Sequence, residues 1–232
     1  LSSAESQLAR AELPEDTARV LSEMTDAIMV RTFEHEILNT YAAHASVPII
    51  NGLTNDFHPC QVLADLLTWY ELRGDIEDKK VAWVGDGNNM CNSYINASSV
   101  MGFELVIASP TGYETALNGE RVRKTSSAKD AVEGADLVVT DVWASMGQES
   151  EVELRRSVFK PYQVTEKLMS YARADALFMH CLPAHRGEEV TKEVLEGNSS
   201  VVWAEAGNRL HAQKALLEFL INCNSVSYTH LR

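Results

Sequence analysis

The sequence predicts an α/β protein of two three-layer domains with parallel sheets, the N-terminal domain only partly present. Three observations carry this. Beyond residue 80, short apolar runs alternate with stretches of helical periodicity, the pattern of βαβ units. The runs are almost continuously apolar, as strands covered on both faces are. The reactive side chains gather where those runs end, the edge at which open parallel sheets bind ligands.

The elements follow in order. Residues 17–24 read as a helix, 27–30 as a strand, 34–43 as a helix and 47–50 as a strand, the tail of a domain that began before Leu1. Residues 59–72 form a strong helix, with Pro59 at its first position, Val62, Leu63, Leu66, Leu67 and Tyr70 as its apolar face and Gly74 to end it. The later strands are 81–85, 104–109, 136–140, 176–179 and 200–203. Helices are expected at 89–100, 127–133, 151–172 and 188–196, and a last one at about 211–220. The resulting division is 1–73 with the bridging helix 59–73, 74–208 as the second domain, and 209–224 as a C-terminal helix returning to the first. Residues 225–232 break the helical pattern and resemble the translation of a sequencing adapter, so they are set aside as an expected artefact.

Bulk properties narrow the function. The chain of 232 residues is 45% hydrophobic and 23% charged, ordinary for a globular protein. Its formal charge of −13 argues against a nucleic-acid partner, while a local basic pocket for a small anion remains compatible with it. Cys60, Cys91, Cys181 and Cys223 form no Cys-x-x-Cys pair, which speaks against a disulfide framework or a zinc site and for a reducing, cytoplasmic setting. No apolar run is long enough to span a bilayer, so no membrane partner is expected.

Five segments hold the candidate chemistry, each with a plainer alternative. In His58-Pro-Cys-Gln61, His58 and Gln61 converge on a helix N-terminus, which favours an anion or a polarised carbonyl; a simple cap with a surface histidine fits as well. Gly85-Asp-Gly-Asn-Asn-Met90 joins a strand to a helix and invites a dinucleotide reading, but Met90 stands where the third glycine belongs. Asn88 and Asn89 suit a carboxylate or amide better. Asp141 closes a strand and could hold an ammonium group, or merely cap a turn. In Phe178-Met-His-Cys-Leu-Pro-Ala-His-Arg186, Cys181 would ordinarily be a small buried hydrophobe. The atoms of His180, Cys181 and His185 suit a metal, yet the strand pleat should send His180 and Cys181 to opposite sides, so no metal is expected. Arg31 ends a strand and Arg209 opens the last helix; each alone is a surface charge.

Together these residues resemble the ornithine carbamoyltransferases. His58-Pro-x-Gln61, Asp86-x-Asn-Asn-Met90, Asp141-x-Trp-x-Ser-Met-Gly147, His180-Cys-Leu-Pro183 and Asn208-Arg209 occur in that family's order, from Leu1 to about Ile221. The resemblance implies a carbamoyl-phosphate domain followed by an ornithine domain, a homotrimer, no cofactor, and carbamoyl transfer to the δ-amine of L-ornithine. It implies Gln7, Arg31, His58, Gln61, Cys181, Leu182 and Arg209 around carbamoyl phosphate, with Gln7 reaching a neighbouring subunit's site. Asn89, Asp141, Ser145 and Met146 would hold ornithine, Pro183 would be cis, and Cys181, His58 and Arg31 would act in catalysis. The family's Ser-x-Arg-Thr-Arg phosphate loop would precede Leu1, so these residues alone are expected to turn over little. Ala9 and Ala11 replace usual glycines, and Gly207 a usual glutamate. The rival readings are a carbamoyltransferase for acetylornithine or putrescine, an NAD(P)-binding dehydrogenase domain built on 81–90, and, for these residues alone, a non-catalytic binding domain.

Overall fold

Local sequence sets the second domain's sheet directly. Five short segments, β3 (Lys80–Val84), β4 (Glu104–Ala108), β5 (Val122–Thr125), β6 (Leu137–Thr140) and β7 (Leu177–His180), pair in the order β5-β4-β3-β6-β7, every pair parallel. The structure, a computed structural model, describes residues 12–144 and 151–223. Gln7, Ala9, Ala11, Ser145, Met146 and the closing residues 225–232 lie outside that range. Alternation along β3 feeds two cores. Val81 and Trp83 face the helices α3 (Pro59–Arg73) and α4 (Asn89–Met101), while Ala82 and Val84 face α5 (Ala128–Val132), α7 (Glu166–Met169) and α8 (Lys192–Leu195). Full burial of a side chain such as Leu105 or Ile107 is worth about 1.5–3 kcal/mol relative to exposure. This is the predicted α/β class with a three-layer second domain.

The smaller first part pairs β1 (Ile28–Arg31) with β2 (Ile49–Leu53) in parallel, flanked by α1 (Pro14–Ser22) and α2 (His35–His44). Ala18, Ile28, Val30, Leu38 and Tyr41 make its core. Helix α3 joins it to the larger sheet and packs along α9 (Val202–Cys223).

Several expectations need correction. The helix expected at 151–172 is three pieces, α6 (Val152–Phe159), a 3-10 turn at Lys160–Tyr162 containing Pro161, and α7. Proline removes a backbone donor and ends the α-helix there. The helix at 188–196 shrinks to α8, capped by Thr191. The strand at 200–203 is one bridge, Ser200 to Phe178, after which Val202 opens α9. Arg209 therefore sits inside α9 rather than opening it. On α3 the predicted apolar face is also misplaced, since Leu63 is 41% and Tyr70 67% exposed while Gln61, Asp65 and Thr68 are buried.

Candidate active site

The chain reverses direction across the sheet between β3 and β6, because β4 and β5 extend one way from β3 while β6 and β7 extend the other. At such a switch point the loops diverge and leave a crevice beyond the strands' C-terminal ends. Here it is a cleft of about 790 Å³.

One wall is cationic. Arg31 ends β1, His58 precedes Pro59 at the start of α3, and Arg209 projects from α9; all three line the cleft. Burial first, then the charges of Arg209 and Arg31, pull the His58 imidazole down to about 4. It is thus neutral at pH 7. Its backbone N–H donates to Ser93 Oγ at 2.7 Å, and its Nδ1 is buried with no hydrogen-bond partner.

The facing wall comes from the second domain, where Asn89, Asp141, Cys181 and Leu182 line the cleft. Asp141 is well held. Its Oδ2 accepts from Asn88 Nδ2 at 2.7 Å, and its Oδ1 accepts from the Val142 N–H at 2.7 Å and the Cys181 thiol at 3.1 Å. Asn88 also caps α4, its Oδ1 accepting from the N–H groups of Met90 and Cys91. Burial, and next the Asp141 carboxylate, push the Cys181 thiol well above its ordinary range, so it stays protonated as a donor. Asn89 joins the two lobes, one amide hydrogen donating to the Thr54 carbonyl at 2.7 Å. The Leu182–Pro183 bond is cis.

Gln61 does not reach the cleft wall. It is fully buried behind Arg209, and its carbonyl accepts from Arg209 Nη1 at 2.6 Å. The atoms of Asp141, His180 and Cys181 come within 4.8 Å of one another, closer than the pleat suggests. Both His180 nitrogens are nevertheless engaged, since Nδ1 accepts from the Leu182 N–H at 2.9 Å and Nε2 faces Glu189 Oε1 at 3.0 Å. This leaves the imidazole in its Nε2–H form, without a lone pair for a metal.

Arg155, Tyr113 and Glu114, none of them singled out in the sequence, complete the cleft. Asp86 pairs with Arg155 at 2.8 Å, both nearly buried, and the guanidinium also donates to the Trp143 carbonyl and lies over the Tyr113 ring. Asp86 is the acid of the Gly85-Asp-Gly turn, and Arg155 takes it. A Cβ on Gly87 would lie 2.1 Å from the Thr115 nitrogen, so that glycine makes room for the chain's own loop. Tyr113 and Glu114 of that loop line the cleft.

A crevice at a sheet switch point, cationic on one side and carrying an oriented carboxylate and thiol on the other, is the site of an α/β enzyme for small polar substrates. The comparisons with known proteins specify it further. The Asp/Orn binding domain of aspartate/ornithine carbamoyltransferase matches residues 77–220, and the carbamoyl-P binding domain of the same enzymes matches residues 1–71. An ornithine carbamoyltransferase of Acinetobacter baumannii is 59% identical over 229 residues, 97% of this chain and 75% of that protein. The ornithine carbamoyltransferase structure from Pyrococcus furiosus superposes with a TM-score of 0.89 at 47% identity, covering 96% of this chain and 75% of that one. The one from Burkholderia thailandensis gives 0.86 at 50% identity, covering 94% and 73%. The chain belongs to the aspartate/ornithine carbamoyltransferase family.

Proposed function

We propose that this protein transfers the carbamoyl group of carbamoyl phosphate to the δ-amine of L-ornithine, giving L-citrulline and phosphate. The observation that carries the reading is the single cleft in which Arg31, His58 and Arg209 face Asn89, Asp141 and Cys181. The cationic wall suits the phosphorylated donor, and the carboxylate suits an amine.

In this reading Arg31 and neutral His58 donate to the carbamoyl oxygen as negative charge grows there, and Arg209 binds the donor. Removing one such preorganised group costs about 2.7–4 kcal/mol of barrier. Leu182 lines the reacting centre. Ornithine's free δ-amine, like a lysine's, has a pKa near ~10.4 and must shed a proton before it attacks. Asp141 orients it with Cys181, whose protonated thiol steadies the carboxylate instead of attacking. Positioning two small molecules in line supplies roughly 7 kcal/mol or more. Asn89, Ser145 and Met146 hold the α-amino and α-carboxylate end. A homotrimer with Gln7 reaching the adjacent site, and a cytoplasmic location, belong to the same reading; no helix among the described residues is long and apolar enough to cross a membrane.

The test is an amine panel. L-ornithine, N-acetyl-L-ornithine and putrescine are titrated by calorimetry with carbamoyl phosphate present, and ureido product is assayed alongside. L-ornithine should bind at least roughly tenfold tighter than putrescine, the weight of one or two charge-assisted hydrogen bonds. Asn89→Ala should narrow that gap. Equal binding of putrescine, or a thermal shift with NAD(P) in place of carbamoyl phosphate, would overturn the assignment.

A further inference from the structure

Behind Arg209 lies a polar knot that the reaction as described does not use. Asp65 of α3 and Glu205 of α9 are 2% and 1% exposed and meet at the Gln61 amide, which donates to both. Two carboxyl groups in contact and out of water cannot both carry charge. Burial raises both carboxyls above their ordinary range, so the pair holds a proton between them at neutral pH. Their remaining oxygens are taken. Asp65 Oδ2 accepts from the Tyr94 hydroxyl at 2.8 Å, and Glu205 Oε2 accepts from the His180 backbone N–H at 3.0 Å.

Between them sits the Gln61 amide. Its Nε2 donates to Asp65 Oδ1 at 2.9 Å and to Glu205 Oε1 at 3.1 Å, which uses both hydrogens. Its oxygen is left to one side, where Arg209 Nη1 donates to it at 2.6 Å. The amide cannot turn over. A flipped amide would set its oxygen against two carboxyl oxygens and its N–H groups against a guanidinium. The orientation of Arg209 at the cleft is thereby written two layers deep, in α3 and α9 together.

Resting on the carbamoyl-phosphate reading above, we propose that Asp65 and Glu205 are positioning residues for the transfer: they lock the Gln61 amide so that its carbonyl holds Arg209 ready for the anionic donor. Neither touches substrate. Gln61 is the relay, not a wall of the site. Glu205 also fastens the end of β7 through the His180 N–H, so the backbone that carries Cys181 and the guanidinium of Arg209 share one support.

The experiment follows the Arg209 guanidinium by nitrogen NMR in the full chain and, separately, carbamoyl phosphate binding by calorimetry. In the wild type, rotation about the Arg209 Cζ–Nη1 bond should be slowed by the Gln61 carbonyl. Glu205→Ala and Gln61→Met should each average that signal and weaken carbamoyl phosphate by roughly tenfold or more, the range for losing a hydrogen bond to a charged group. Glu205→Gln keeps one donor and one acceptor and should restore both readouts to within about threefold. A folded Glu205→Ala with an unchanged Arg209 signal and affinity overturns the proposal. Where that variant does not fold, Gln61→Met with the slow signal intact overturns it equally. A wild type that shows the slow Arg209 signal yet binds no carbamoyl phosphate would sink the functional reading and leave the positioning link standing.

Discussion

Two side chains in the cleft are set by burial more than by charge. His58 titrates at about 4 when folded and near 6.5 when unfolded. As pH falls through that window the unfolded chain takes up a proton that the folded one refuses, so stability falls with it. At about 1.36 kcal/mol per pH unit the effect approaches roughly 3 kcal/mol. His58→Gln should therefore lose less melting temperature between pH 6.5 and 4.5 than the wild type; parallel curves would remove His58 as the linked group. The Asp65/Glu205 pair works with the opposite sign, because carboxyls raised by burial take up protons in the folded state first and add stability as pH falls, so Asp65→Asn with Glu205→Gln should steepen the acid loss. Cys181 makes the complementary case. Burial and Asp141 keep its thiol protonated, so iodoacetamide at pH 8 should label it at least about tenfold more slowly than it labels glutathione. Faster labelling would mark an activated nucleophile.

At the scale of elements, β3, β4, β6 and β7 were legible because strands buried on both faces leave unbroken apolar runs. Strand β5 was not, since Val122-Arg-Lys-Thr125 is an edge with two exposed basic residues. The C-terminal helix was expected to return to the first part of the chain, but the face by which α9 meets α3 was hidden for a different reason. The buried positions of α9's first turns are Val202, Glu205, Asn208 and Ala212, and those of α3 include Gln61, Asp65 and Thr68. Helical spacing was present, but written in polar letters that a hydropathy reading discards. Asn208 shows how that surface closes, its amide donating to Thr68 Oγ1 at 3.0 Å and Glu71 Oε2 at 2.7 Å. The usable clues were the i,i+4 pairs Gln61/Asp65 and Glu205/Arg209, ionisable or amide groups amid apolar neighbours. Gly207, in the same helix, has open space around it. Gly207→Ala should raise stability by about 0.5–1 kcal/mol, a few degrees in melting temperature, with Arg209 undisturbed. A drop in melting temperature would mean the glycine is structurally required.

For the whole molecule, the cleft depends on charges that join distant parts of the chain. Arg155 of α6 reaches Asp86 at the end of β3, 69 residues away in sequence, and packs over Tyr113 and Phe159. Removing one partner of a buried pair costs about 3–5 kcal/mol because the other is stranded. Urea unfolding of Arg155→Met should show a loss of that order, and Arg155→Met with Asp86→Asn should recover much of it; a loss below about 1 kcal/mol would show that Asp86 is simply protonated. The sequence displayed the motifs at the strand ends, Asn89, Asp141 and Cys181, because the switch point gathers them from short local patterns. It did not display Arg155 or Tyr113, whose places follow from long-range packing alone. The tight approach at Gly87 has one last consequence. A lone hydrogen is the latch on which the ceiling of the cavity shuts, and a residue with no chemistry of its own thus decides whether Tyr113, Arg155 and the acid below them ever meet.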